Sequence, residues 1–261
     1  MAFGSVNADK IRETNLDAFL MQNGTLATHQ NLVCKYVTAA TVDIDADAVL
    51  LVNATSGDAY KASTVNLTVD ITASGANGLD TGSEASSTWY YLWVIYNPDT
   101  STVAGLLSTS STAPTLPSGY TYKGLVGAVY NNGSSNFFGF RQRDNDVYHY
   151  DTASAWNVLS GGTSTVLAAV SLAAFVPTIA KTVDFQVGEV TAGASGQYQL
   201  ALYSDNATSL AFHFCVAYTA SASVQSSNNS ARYCKLANVQ TVHYSVSSGS
   251  NGSITVTGFS Y

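Results

Sequence analysis

The carboxylates are the residues whose spacing could do chemistry. Asp80-Thr81-Gly82-Ser83 matches the loop of aspartic proteases, in which two such Asp share one proton. There the Asp ends an apolar strand. Here "SGANGL" precedes it, and no second Asp-Thr-Gly or Asp-Ser-Gly occurs, so only a homodimer could supply the pair. The alternative is a Gly-rich turn whose Asp caps its own backbone. "DIDAD", Asp43 to Asp47, lines up three carboxylates, and calcium favours oxygen clusters. A strand spaces them in a row about 7 Å apart rather than around a point, which favours a solvated face. Arg143 to Asp146, "RDND", reads as a charged loop. His213, Cys215 and Cys234 could meet across neighbouring strands as zinc ligands, although no Cys-x-x-Cys is present. A buried thiol pair beside a hydrogen-bonded core His is the other reading. No Gly-x-Ser-x-Gly elbow and no phosphate-cradling glycine loop occurs. The residues therefore nominate no catalytic group, no metal and no cofactor, and the expectation is a protein that is not an enzyme.

The elements that would position such residues are strands. "STWYYLWVIYNPDTSTVAGLL", residues 87–107, is the densest apolar run. Alternation puts Trp89, Tyr91, Trp93 and Ile95 on one side, and Tyr90, Leu92, Val94 and Tyr96 on the other. Both sides are apolar, so something must cover each. Val42, Ile44, Ala46 and Ala48 alternate with Thr41, Asp43, Asp45 and Asp47, and Val65, Leu67, Val69 and Ile71 alternate with polar partners. Asn97-Pro98-Asp99-Thr100 is a turn with Pro where its fixed φ helps. "YKGLVGAVY" is a strand, "NNGSS" a hairpin turn, and "NFFGFRQ" its return strand. A polar stretch, "RDNDVYHYDTASAWNVLSGG", separates a second half in which "TVDFQVGEV", "LAFHFCVAY", "VQTVHYSV" and "SITVTGF" alternate again. Strands this short, with Gly/Asn/Ser turns, predict an all-β chain: an antiparallel β-sandwich, jelly-roll-like, covering 31–261. A single elaborated sandwich is the expectation, with two halves, 31–145 and 152–261, as the alternative.

Before residue 31 the pattern is helical. Asn15 can cap, Leu16, Phe19 and Leu20 form an apolar patch, and Gly24 stands where a terminating glycine belongs. Such a helix is too short to stand alone in water, so residues 1–30 are expected to be an arm and short helix that dock on something. Charged residues make up 10% of the 261, and Lys+Arg 10 against Asp+Glu 17 gives a net charge of −7. No basic cluster of the nucleic-acid kind exists, which excludes that partner class. No segment approaches a membrane span, and the polar N-terminus does not resemble a signal peptide. Three cysteines are an odd count that argues against a disulfide framework, so synthesis in a reducing cytoplasm is expected. The 16 tyrosines suit strands, interfaces and sugar platforms alike.

Residues 78–140 resemble a module of virion proteins from tailed bacteriophages and prophages. The segments that carry the likeness are "GLDTGS", "WYYLWVIYN", "AGLLS", "APTLPSGYTY" and "GAV", with "VSLAAFVPTIAKTVDFQV" (170–187) similar to the usual continuation. The likeness covers about half the chain and implies a β-rich, non-enzymatic virion part, commonly a homo-oligomer and often a trimer. It also makes "DTGS" a recurring loop of the module. The chain has no heptads, no collagen-like repeat and no shaft, unlike a typical fibre. A capsid decoration, cement or short head-fibre protein is therefore expected, assembled in the bacterial host cytoplasm and pinned to other virion proteins by its N-terminal arm. Ile11, Leu16, Phe19, Leu20, Tyr90 and Tyr96 are the expected anchor and interface residues. The second face of 87–107 would then be covered by the C-terminal half or by a neighbouring subunit. The alternative is a tail-fibre or spike tip that binds a host surface glycan.

Overall fold

A computed structural model describes residues 28–53, 55–150, 156–192, 196–206, 211–219, 224–225 and 229–261. The expected helix and the anchor residues Ile11, Leu16, Phe19 and Leu20 lie outside the described residues. The rest is all-β, as the alternation predicts. It divides into two compact units, Met1–Asp144 and Asn145–Tyr261, with the division inside the polar stretch seen in the sequence.

The first unit holds nine strands among the described residues: β1 (His29–Gln30), β2 (Val33–Thr38), β3 (Thr41–Asn53), β4 (Ala59–Asp70), β5 (Gly78–Leu79), β6 (Thr88–Asn97), β7 (Thr102–Ser108), β8 (Tyr122–Asn131) and β9 (Phe140–Arg143). β6 lies between β7 and β8 in antiparallel register, with β5 parallel to β7. β3 lies between β4 and β2, and β9 pairs with β2. One edge of β3 is bonded to β4 over nearly its whole length. Its other edge changes partner from β2 to β1 and, at Val52↔Lys123, to β8, which joins the two layers at a corner.

The layers pack face to face as a sandwich. A Cβ on Gly105 of β7 would stand 2.3 Å from Val69 Cγ2 of β4, and one on Gly127 of β8 would stand 2.4 Å from Gln142 Oε1 of β9. Pairing then sets the faces. Leu92 and Val94 share a side with Leu107 and Gly105, while Val42, Ile44 and Ala46 share a side with Val69, Cys34 and Gln142. Of these, Val42, Ile44, Leu92, Val94 and Cys34 are fully buried.

The weak stretch at Ala46 and Ala48 has a structural cause. Thr64 takes a left-handed φ of 53° opposite Asp47, and just beyond it the buried side of β3 switches from Val42, Ile44, Ala46 and Ala48 to Val49 and Leu51. A β-branched residue at positive φ is strained, yet the β3–β4 register runs through it unbroken. The "NFFGFRQ" return strand is only partly a hairpin. Phe138 N–H still donates to Tyr130 O at 3.0 Å, but β9 then leaves β8 and pairs with β2 in the other layer.

The second unit contains β10 (Asp146–His149), β11 (Asn157–Gly162), β12 (Ala168–Ser171), β13 (Thr182–Ala192), β14 (Gly196–Tyr203), β15 (Ala211–Thr219), β16 (Val224–Gln225), β17 (Asn229–Lys235), β18 (Thr241–Val246) and β19 (Ser250–Ser260). β13 and β19 form an antiparallel core pair, with β16 and β17 beyond β13 and β10 and β11 beyond β19. The other sheet runs β12-β18-β14-β15. Gly252 of β19 lets the sheets close: a Cβ there would meet Leu200 Cδ1 of β14 at 2.0 Å. Burial alternates strictly along β18 and over most of β19, the period the sequence shows.

Candidate functional site

The protease-like tetrapeptide forms a clasp. Asp80 follows β5, whose Leu79 is buried, and its N–H donates to Leu107 O at 2.8 Å. Its Oδ1 accepts from Thr81 N–H at 2.7 Å, and its Oδ2 accepts from Thr115 N–H at 3.0 Å. Each carboxylate oxygen thus holds a backbone amide, the self-capping turn of the second sequence reading, extended to a distant loop. Gly82 supplies the positive φ (+77°) that turns the chain away. Loop 109–121, tied here, crosses the outer face of β6. Trp93 Nε1–H donates to Ser110 O at 3.2 Å, Lys123 Nζ sits 5.3 Å over the Trp93 ring, and Lys123 also donates to Thr112 O at 2.8 Å. Pro114 is buried in the same loop. The cover over Trp93 is therefore the chain's own loop, where the sequence suggested the C-terminal half or a neighbour.

The other face of β6 is covered as well. Tyr90 is 1% exposed and Tyr96 8%. Tyr90 Oη accepts from Ala85 N–H at 2.8 Å, and the Tyr96 ring stacks on Tyr60 of β4 at 3.6 Å, 3° from parallel. Both rings, read from the sequence as interface residues, lie on the side of β6 that faces β4, so the chain itself covers them. Asn131 completes this end. Its Nδ2 donates to Glu84 Oε1 at 2.9 Å and to Ala85 O at 2.8 Å.

Asp43, Asp45 and Asp47 stand in an outward row, as strand geometry requires. Lys35 bridges Asp43 and Asp45 at 3.4 Å each, Thr68 donates to Asp43, and Asn31 donates to Asp47 at 2.6 Å. The hydrogen bonds from Lys35 to Asp43, then Asp45, raise the Lys35 amine above its ordinary value. Among the described residues no group of three or more His, Cys, Asp or Glu could hold a metal ion. His213 and Cys215 fall on β15 and Cys234 on β17, in different sheets; the side chains of His213 and Cys215 are outside the described residues. Cys34 and Cys234 are free and buried. Burial, reinforced by Asp45, pushes the Cys34 thiol far up, and burial with the Asp184 charge pushes Cys234 up to about 12.

Two features escaped the sequence reading. Gln142 is fully buried and donates through Nε2 to Val126 O and Asp144 O, both at 2.7 Å, a polar pin inside the first core. His149 and Trp156 stack at 3.4 Å inside the second unit. Both lie in or beside the polar stretch whose composition suggested a separator.

No protein-family model and no curated protein sequence matches this chain.

Proposed function

We propose that the chain is a non-enzymatic structural protein of a bacteriophage virion, a capsid decoration, cement or short head-fibre protein attached by its N-terminal arm. One observation supports the reading best. The segments that carry the resemblance, "GLDTGS", "WYYLWVIYN" and "APTLPSGYTY", are the parts that meet in the β6 layer and its clasped cover, with Asp80 tying two of them together. Their chemistry is spent on holding one rigid body. Such a body, repeated on a lattice, gains attachment strength by multivalency. Homotrimeric assembly fits the same resemblance. Deleting residues 1–27, which spares β1, is expected to abolish binding to virions while leaving the β-rich circular dichroism unchanged; undiminished binding by the truncated protein would contradict the arm's role.

A second reading, a glycan-binding tip, has one observation in its favour. Tyr148 and Tyr150 are 40% and 56% exposed, and Tyr suits sugar platforms. Alanine at both positions would then remove binding to susceptible cells.

A further inference from the structure

His149 ends β10 with its ring turned inward. Its neighbours Tyr148 and Tyr150 are exposed, yet neither nitrogen of the His149 ring reaches solvent. The imidazole lies flat on the Trp156 indole, centroids 3.4 Å apart and planes 12° from parallel. Phe259 of β19 tilts against the imidazole at 5.5 Å, and Tyr261 stands edge-on to Phe259 at 5.4 Å. Phe175 meets Trp156 edge-on at 6.3 Å. One titratable ring is thus enclosed in an aromatic cluster. The ionisable groups beside it are Asp146, Tyr148 and Tyr150 along the chain and Tyr261 after β19, and no side-chain charge among the described residues acts on the ring. The Phe175 backbone gives the charged form weak support, outside hydrogen-bond geometry. Burial dominates and holds the pKa of the ring down at about 3.

We propose that the His149–Trp156 stack is an acid-triggered latch: protonation of His149 parts β10 and Trp156 from the aromatic cluster before the two sheets of the second unit separate. The closed form keeps the ring neutral. Once open, the ring binds a proton with the ordinary histidine pKa of about 6.5. Opening is therefore favoured as pH falls below about 6.5, until the closed form itself protonates near 3. At pH 4.5 the open form gains roughly 100-fold over its population at neutral pH. Face-on contact with the indole gives the charged ring some cation–π attraction, which narrows this interval without reversing its sign. Opening exposes Trp156 and Phe259, an apolar surface hidden at neutral pH.

Hydrogen exchange of the full chain, resolved by mass spectrometry and corrected for intrinsic rates, tests the latch at pH 7 and pH 4.5. Peptides over 146–150 are expected to lose protection by roughly 100-fold at pH 4.5 while β13 and β18 keep theirs. His149→Phe, which keeps the stack and removes the titration, is expected to keep its protection. Acid loss that persists in this variant, no loss in the wild type, or loss shared equally with β13 and β18 would overturn the proposal. An NMR titration of the wild-type His149 ring decides independently of the variant's folding. A ring that titrates near 6.5 with Trp156 unmoved would also overturn it.

Discussion

Gly105 and Val69 set how closely the layers of the first unit approach. A methyl at Gly105 would overlap the Val69 side chain, and the sheet must shift to admit it. Gly105→Ala is expected to cost about 1–3 kcal/mol of stability, the usual penalty of overpacking. Val69→Ala removes the overlapping Cγ2, so the double variant should lose less than the two single variants summed, measured by urea unfolding. The buried thiols make a chemical prediction. Thiolate is the reactive form, and burial raises both Cys34 and Cys234 above their ordinary values. Neither should take up iodoacetamide at pH 8 in the folded protein, and both should in guanidinium, as read by peptide mapping; labelling of native Cys34 would contradict the packing. At this scale the sequence was informative wherever a side chain obeys its strand. Val42, Ile44, Leu92 and Val94 are inside because they alternate. Which face of β6 met β4 was not legible, since both faces are apolar, and so Tyr90 and Tyr96 read as interface residues.

The elements show where local pattern ends and long-range pairing begins. The Asn97–Thr100 turn was legible because its chemistry is local: Asn97 Oδ1 accepts from Asp99 N–H at 3.0 Å and from Thr100 N–H at 3.3 Å. The departure of β9 to β2 was not, because no residue near "NNGSS" records a partner a hundred positions away. The role of Asp80 was half legible. Its turn is written in the tetrapeptide, whereas its second amide, Thr115 N–H, comes from 35 residues further on. Asp80→Ala removes both acceptors and should cost about 1 kcal/mol at so solvated a site, about 2–4 °C in melting temperature. The loop it clasps should open first, so chymotrypsin nicking at Leu116 or Tyr120 should rise while the β-sheet spectrum stays constant. Unchanged nicking would remove the clasp from the account. The His149–Trp156 stack stayed hidden for a compositional reason: a buried indole and a half-buried imidazole sit among Asp, Thr and Ser, which hide the core pattern.

For the whole molecule, fold class was legible, whereas the proposed function rests on likeness. Period-two alternation in both halves forces sheets, and sheets this apolar must pack on one another; both units do so. Function has no such periodic signature. The carboxylates that could have done chemistry are occupied: Asp80 by two amides, Asp43 and Asp45 by Lys35, and Glu84 by Asn131. The proposed function is assembly, and its proposed site of attachment is the arm rather than the β6 tyrosines. The measurement that tests this most directly is a split binding assay. Purified, labelled full-length chain is added to virions that lack it and, separately, to susceptible cells. The account expects saturable, stoichiometric binding to the virions and none to the cells. Binding to cells alone, competed by surface polysaccharide, would contradict it and move function to the exposed Tyr148 and Tyr150.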